Sequence, residues 1–347
     1  MMNAISRTLR ATVRGSCSCG SSSRTLKRSL AAVFLSGLLS ALAWLSCLGV
    51  GLNVAASSVK SQAGQDIRIG FWKLRNLRDF GHERSDFRAI ARVLHSMDCV
   101  AVTEVYDDRA LSKLANELTI LGGRWNKVKN KRRVGFTHAT SERYAILYRS
   151  DRLEVVDDAY TLSRADSTVS SPLGRQRIEH RPFLCKFATL DQRFDFTLMV
   201  MNATRRSLPN KDKSGSLPTK PHAYTDAEIE GLRDVLGGVL GKDPKDRDFI
   251  LLGNFQRDVG TPSLAEILSL PGMIDLARPD QPTTLEGDHT FAHIFFQSQN
   301  LTEFHGKSGV DRFEQTWFDG NVAEALRTCS DQRPIWMTLT IPARDDD

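Results

Sequence analysis

The feature that most constrains this chain is its succession of short apolar strands separated by helices, with no internal repeat. Ile67-Arg-Ile-Gly-Phe-Trp alternates as a strand does. Asp86–Met97 then places Phe87, Ile90, Ala91 and Leu94 at helical spacing, and Cys99-Val-Ala-Val-Thr forms a buried strand that ends on Glu104. Further strands are expected at 144–148, 153–156, 183–187, 194–201, 249–252, 293–296 and 335–341. Helices are expected at 110–121, 225–240 and 263–268. So many strands with interspersed helices imply an α/β sandwich of two sheets packed face to face under outer helices.

The N-terminal part is of another kind. Residues 1–29 hold six basic residues and no acidic one, and residues 30–56 hold no charge at all. An apolar run of that length can span a bilayer, which needs about 20 such residues. Basic charge ahead of it favours a cytoplasmic N-terminus and an exported domain, as signal peptide or signal anchor; Val54-Ala55-Ala56 suits a signal peptidase. Residues 57–65 read as a small, polar linker and residues 66–342 as one domain.

This division decides what the net charge of +6 means. Once the six leader charges are set aside, 41 basic residues face 41 acidic ones, so the domain is neutral and its charge does not support a nucleic-acid partner. The run Arg124–Arg133, with six basic residues, is either a phosphate-holding or a solvated loop, and residues 202–223 form a long polar loop. Cys99, Cys185 and Cys329 are too few for a disulfide framework and read as buried structural thiols. Cys17, Cys19 and Cys47 lie in the leader, without the second pair a zinc site needs.

Several short stretches resemble, in order, the landmarks of the endonuclease/exonuclease/phosphatase (DNase I-like) superfamily. They are Ile67-Arg-Ile-Gly-Phe-Trp-Lys, Asp98-Cys-Val-Ala-Val-Thr-Glu, Ser141-Glu-Arg-Tyr, Arg181-Pro-Phe, Leu252-Gly-Asn-Phe-Gln, Phe291-Ala-His-Ile and Ser330-Asp-Gln. The resemblance spans about residues 66–342 and implies a four-layered α/β/β/α sandwich with a cleft at the top of the sheets. It also implies Mg²⁺-dependent hydrolysis of phosphate esters. In that chemistry carboxylates hold the ion, an Asp/Asn pair orients water and a His with a carboxylate partner moves protons.

This sequence departs from the family at most chemical positions. Lys73 stands where the resemblance implies Asn, and Asn202 where it implies His. Asn254, Gln256, Ala292 and Gln332 stand where it implies Asp, Asn, Asp and His. Glu104, the metal-binding position, Glu142 and Asp331 are retained, and Arg181 with Lys73 are the candidate ligand contacts. Two carboxylates beside a lysine replace four, so a divalent cation is expected to bind weakly or not at all.

Two functions therefore follow as expectations. One is a non-hydrolytic, exported or membrane-tethered domain that binds a phosphate-bearing ligand or a protein partner. The alternative is a divergent Mg²⁺-dependent phosphoesterase or nuclease rebuilt from Glu104, Asp258, Asp288 and Asp331, with His289 or His293 near the mouth.

Overall fold

A computed structural model describes residues 66–80, 85–135, 141–171, 174–203, 223–241 and 247–344. The apolar leader, the linker and most of the 202–223 loop lie outside the described residues. No helix among the described residues is long and apolar enough to cross a membrane.

The first sheet takes its strands from both ends of the domain. It contains β1 (Asp66–Leu77), β2 (Cys99–Val105), β3 (Trp125–Lys129) and β4 (Arg143–Arg149), while β14 (Phe304–Val310) and β15 (Ile335–Thr340) return from the C-terminus. Its order is β14-β15-β1-β2-β4-β3, with β1 and β2 parallel and the other pairs antiparallel. The parallel pair is joined by α1 (Phe87–Leu94), capped by Asp86 Oδ1, which accepts from the Ala89 N–H at 3.0 Å. The link from β2 to β3 is α2 (Asp108–Leu121), which ends at Gly122 and Gly123, both with positive φ.

The second sheet holds β5 (Leu153–Val155), β6 (Tyr160–Thr161), β9 (Phe183–Thr189), β10 (Asp195–Asn202), β11 (Phe249–Asn254), β12 (Met273–Asp275) and β13 (Ala292–Gln297). A hairpin of β7 (Thr168–Ser171) and β8 (Gly174–Arg177) stands apart. Three helices, α3 (Ala223–Glu230), α4 (Leu232–Leu240) and α5 (Pro262–Leu268), belong with this sheet; α6 (Phe313–Trp317) and α7 (Val322–Thr328) lie between β14 and β15.

Period-two alternation sorts the strand residues into layers. Ile67, Ile69 and Phe71 of β1 meet Phe196, Leu198 and Val200 of β10, with Ile250 and Leu252 of β11, in the core between the sheets. Trp72 and Leu74 point the other way, into a second core with α1 and α2. Met199, Met201 and Leu251 face a third core with α3, α4 and α5. The result is the four-layered α/β/β/α sandwich.

Two sequence expectations are corrected. Part of the basic 124–133 run is the edge strand β3, because Trp125 through Lys129 pair with Arg149 through Ala145. Lysines on an edge strand also discourage pairing with another chain. The single helix expected over 225–240 is two, α3 and α4, broken at Gly231. Cys99, Cys185 and Cys329 are free and buried.

Candidate functional site

At the top of the sandwich the inward-facing rows change from apolar to polar. Continuing the same alternation, Phe71 is followed by Lys73, Ala101 by Thr103, Val200 by Asn202 and Leu252 by Asn254, while Tyr144 is preceded by Glu142. All of these positions are buried except the backbone-linked Glu104 beside them. The site is therefore the end of the inter-sheet core itself, built on strands.

Its outer part is an ion pair. Lys73 Nζ donates to Asp331 Oδ1 at 3.0 Å and Oδ2 at 2.9 Å, and lies 3.5 Å from Glu104 Oε1. The side chains of Lys73 and Glu104 are 10% and 15% exposed, and that of Asp331 is 43% exposed. Burial works against the Lys73 ammonium, but the two carboxylates prevail and raise its pKa. Glu104 receives less in return. Burial, opposed by Lys73 and reinforced by Glu142 and Asp331, raises its pKa to about 7. The two directions agree once Lys73 is seen to be bonded to Asp331 and only close to Glu104.

Glu104 is brought there by an irregular backbone. Its φ is 60°, in the left-handed region that non-glycine residues seldom occupy, where β2 shifts register against β4 between Val102 and Val105. The Glu104 N–H donates to Glu142 Oε2 at 2.5 Å, and its own carboxylate accepts from the Asn76 N–H at 3.4 Å. Asn76, at φ 51°, sits in the matching irregularity of β1, and Gln256, at φ 52°, follows β11. Three left-handed residues at neighbouring strand ends are a local strain of the kind found at binding and catalytic sites.

Beneath the ion pair runs a chain of buried amides. Asn202 Nδ2 donates to Glu142 Oε1 at 2.7 Å, Asn254 Nδ2 donates to Asn202 Oδ1 at 2.8 Å, and Gln332 Nε2 donates to Asn254 Oδ1 at 3.1 Å. The carboxylate sets the direction. Glu142 can only accept, so Asn202 must present its NH₂ there and its carbonyl to Asn254, and the same choice passes to Gln332. The chain ends on Gln332 Oε1, which is buried without a partner. Trp72 Nε1 donates to the Gln332 carbonyl at 2.6 Å, and Ser330 Oγ to the Lys73 carbonyl at 2.5 Å, so the 330–332 segment is pinned to β1.

His180 is the site residue that sequence reasoning missed. Its Nδ1 lies 3.1 Å from Glu142 Oε1; burial opposes the imidazolium, but that carboxylate raises the pKa above the ordinary value. The signal available was its place directly before Arg181-Pro182. Arg181 itself donates to the Leu162 carbonyl at 2.7 Å and so braces the chain before β7. Gln256 is half-buried, and its carbonyl accepts from Arg257 Nη1 at 2.7 Å.

The residues considered for a rebuilt centre are divided. His289 Nδ1 lies 2.9 Å from Asp258 Oδ2, and Asp258 Oδ1 accepts from the Thr290 N–H at 2.7 Å. Burial works against the Asp258 carboxylate, yet these bonds lower its pKa. The segment carrying His289 is joined to the site: Leu285 N–H donates to the Asp331 carbonyl at 3.0 Å, and Thr284 bridges Gln332. His293 does not stand near the mouth. It is fully buried, with Nδ1 on Asp275 Oδ2 at 2.7 Å and Nε2 on the Arg257 carbonyl at 2.8 Å. Its neighbour Ala292 faces the inter-sheet core.

A divalent ion at this end would need several oxygen ligands with negative charge. The residues do not fit one, because the Lys73 ammonium stands between Glu104 and Asp331 and the next inward positions are amides. Among the described residues no group of three or more His, Cys, Asp or Glu could hold a metal ion.

Comparison with solved structures places this architecture. An endonuclease/exonuclease/phosphatase family protein from Bacteroides vulgatus superposes with a TM-score of 0.53 at 13% identity, over 80% of this chain and 99% of that one. A protein of the same description from Bacteroides thetaiotaomicron gives 0.50 at 15% identity, over 80% and 98%. The human Nocturnin catalytic domain, solved with a bound sulfate anion, gives 0.50 at 12% identity, over 79% and 94%. No family model and no curated protein matches the sequence.

Proposed function

We propose that this chain, which has the DNase I-like fold of the endonuclease/exonuclease/phosphatase structures, uses it to bind rather than to hydrolyse. The observation that carries the proposal is the position of Lys73 Nζ, bonded to Asp331 and 3.5 Å from Glu104. An ammonium there supplies a fixed positive charge without a Lewis acid or a bound water to ionise. The amide chain has the same consequence, since Asn202, Asn254 and Gln332 take no part in proton exchange near neutral pH. Losing one general acid or base commonly costs about 10²–10⁴ in rate, and here several such groups are replaced together.

The domain is proposed to work outside the cytoplasm, exported or held at a membrane by residues 30–56. The uncharged run and the basic residues ahead of it support this. A reporter active only outside the cytoplasm, fused after Ser57, is expected to be active. An intact chain found soluble in the cytoplasm would contradict the placement.

The test of the main reading is hydrolysis by the purified protein. Plasmid DNA, RNA and simple phosphate mono- and diesters should remain intact with Mg²⁺, Mn²⁺ or Ca²⁺. Metal-dependent turnover abolished by Glu104→Ala would instead establish the divergent phosphoesterase. One observation favours that second reading: Asp258 orients the His289 imidazole on a segment bonded to Asp331 and Gln332.

A further inference from the structure

A cavity of about 180 Å³ lies on the outer face of the second sheet. Its floor is one cross-strand row: Lys186, Thr197 and Phe249 stand opposite one another on β9, β10 and β11, with Leu184 two residues along β9. Thr197 is five residues before Asn202 on β10 and points to the other face, so the cavity is separated from the amide chain by roughly 17 Å of strand. One wall comes from a mismatch between strands. Between the pairs Val155–Phe187 and Tyr160–Leu184 the edge chain has four residues where β9 has two, so it bulges, and Asp157 and Asp158 ride on the bulge beside the cavity. The other wall is the last turn of α4, with Val239 and Leu240.

Size and lining set the body of a ligand. Leu184, Phe249, Val239, Leu240 and the Tyr160 ring give an apolar surface, and an apolar cavity of about 150 Å³ takes up benzene. There is room here for one ring with a short chain. Tyr160 is 48% exposed and Val239 and Leu240 are half-buried, so the cavity opens to solvent. Charge sets the rest. Asp157 and Asp158 are exposed, and Lys186, the only ammonium among the described lining residues, lies 3.1 Å from Asp195 Oδ1. Lys131 lies 3.9 Å from Asp158, but their side chains are 83% and 101% exposed, and solvent screens such a pair. The carbonyl end of α4 adds partial negative charge. An anion of this size would face both carboxylates.

We propose that this cavity binds a small aromatic amine, with its ring on Leu184 and Phe249 and its ammonium group at Asp157 and Asp158. Small-molecule sites combine an apolar lining with a few polar groups that orient the ligand. Here the cross-strand row supplies the first and the bulge the second. The inference does not depend on whether the cleft hydrolyses anything, because the cleft is at the top of the inward face and the cavity is on the outward one.

The experiment is a calorimetric titration of the full chain, at low salt and near neutral pH, with phenethylamine, phenethyl alcohol and phenylacetate in turn. Phenethylamine is expected to bind, phenethyl alcohol to bind about tenfold more weakly, and phenylacetate not to bind, the order expected for two partly screened carboxylates. The double variant Asp157→Asn with Asp158→Asn changes exposed side chains only, and should bring phenethylamine down to the affinity of the alcohol. Val239→Phe, which fills the cavity, should abolish binding. A silent phenethylamine titration, phenylacetate binding as tightly as the amine, or an amine affinity unchanged in the double variant would each overturn the inference. Phenethylamine binding unchanged in Val239→Phe would place the ligand elsewhere and overturn it as well.

Discussion

Lys73 grips both carboxylate oxygens of Asp331, at 3.0 and 2.9 Å, across 258 residues of sequence. The contact joins the first strand of the domain to the segment that precedes its last, and it fills with an ammonium the space between two carboxylates. Lys73→Asn should therefore leave Glu104 and Asp331 facing each other with nothing between them. Mg²⁺ affinity, followed by calorimetry, is expected to rise about tenfold or more when a like charge is removed at this distance. Without added metal the variant should be less stable by about 1–2 kcal/mol, since Asp331 is 43% exposed and solvent screens part of the pair. Unchanged Mg²⁺ affinity would mean that Lys73 does not hold the cation's place.

A second consequence is a pH dependence of stability. Glu104 has a folded pKa of about 7 against the ordinary 4.5, so the folded state binds the extra proton between those values. The stability this group contributes is present below pH 4.5 and is lost as pH rises through about 7. The raised pKa of His180 acts in the same direction, its contribution fading above 6.5. Denaturant unfolding should accordingly show stability falling from acidic to neutral pH. Glu104→Gln should flatten that slope and stabilise the protein above neutrality by an amount on the order of 2–3 kcal/mol. A slope that persists unchanged in the variant would place the proton elsewhere.

The amide chain makes a directional prediction. Asn202 donates to Glu142 at 2.7 Å and accepts from Asn254 at 2.8 Å, so replacing its NH₂ by oxygen loses one bond and keeps the other. Asn202→Asp sets two carboxylates in contact at a fully buried position, at a cost of about 3 kcal/mol or more. The loss should shrink at acidic pH, where the new carboxyl can be protonated and donate to Glu142. Asn202→Ala should cost less than Asn202→Asp near neutrality, and the opposite order in thermal melts would argue against the assigned amide direction.

Much of the fold was legible because its strands obey a simple alternation. Ile67, Ile69 and Phe71 announce an inward face, and that face continues without a break to Lys73. The edge strand β3 was not legible, because Trp125-Asn-Lys-Val-Lys is as polar as a solvated loop and becomes a strand only through its pairing with β4. Gly231 likewise breaks a helical pattern that periodicity alone runs through. In the site, the resemblance points to Lys73, Glu104, Glu142, Asn202, Asn254, Asp331 and Gln332, and the fold brings them to one end. It does not mark His180, whose partner Glu142 is 38 residues away. Nor does it mark the direction of the amide chain, which depends on a three-dimensional route to one carboxylate.

The same inward row gives the last prediction. Thr103 stands beside Lys73 in the β1–β2 register, fully buried, with its hydroxyl unpartnered. A buried hydroxyl that bonds to nothing has lost its water without compensation, and that cost is about 1–3 kcal/mol. Valine has nearly the same shape, is at home in a strand and removes the uncompensated oxygen. Thr103→Val should therefore stabilise the free protein, by about 1 kcal/mol after allowance for imperfect packing of the new methyl. Such a gain would be unusual, since most core substitutions destabilise by about that amount. Denaturant midpoints of the two proteins, at equal slope, measure it directly. A variant less stable than the parent would show that Thr103 Oγ1 has a partner in solution.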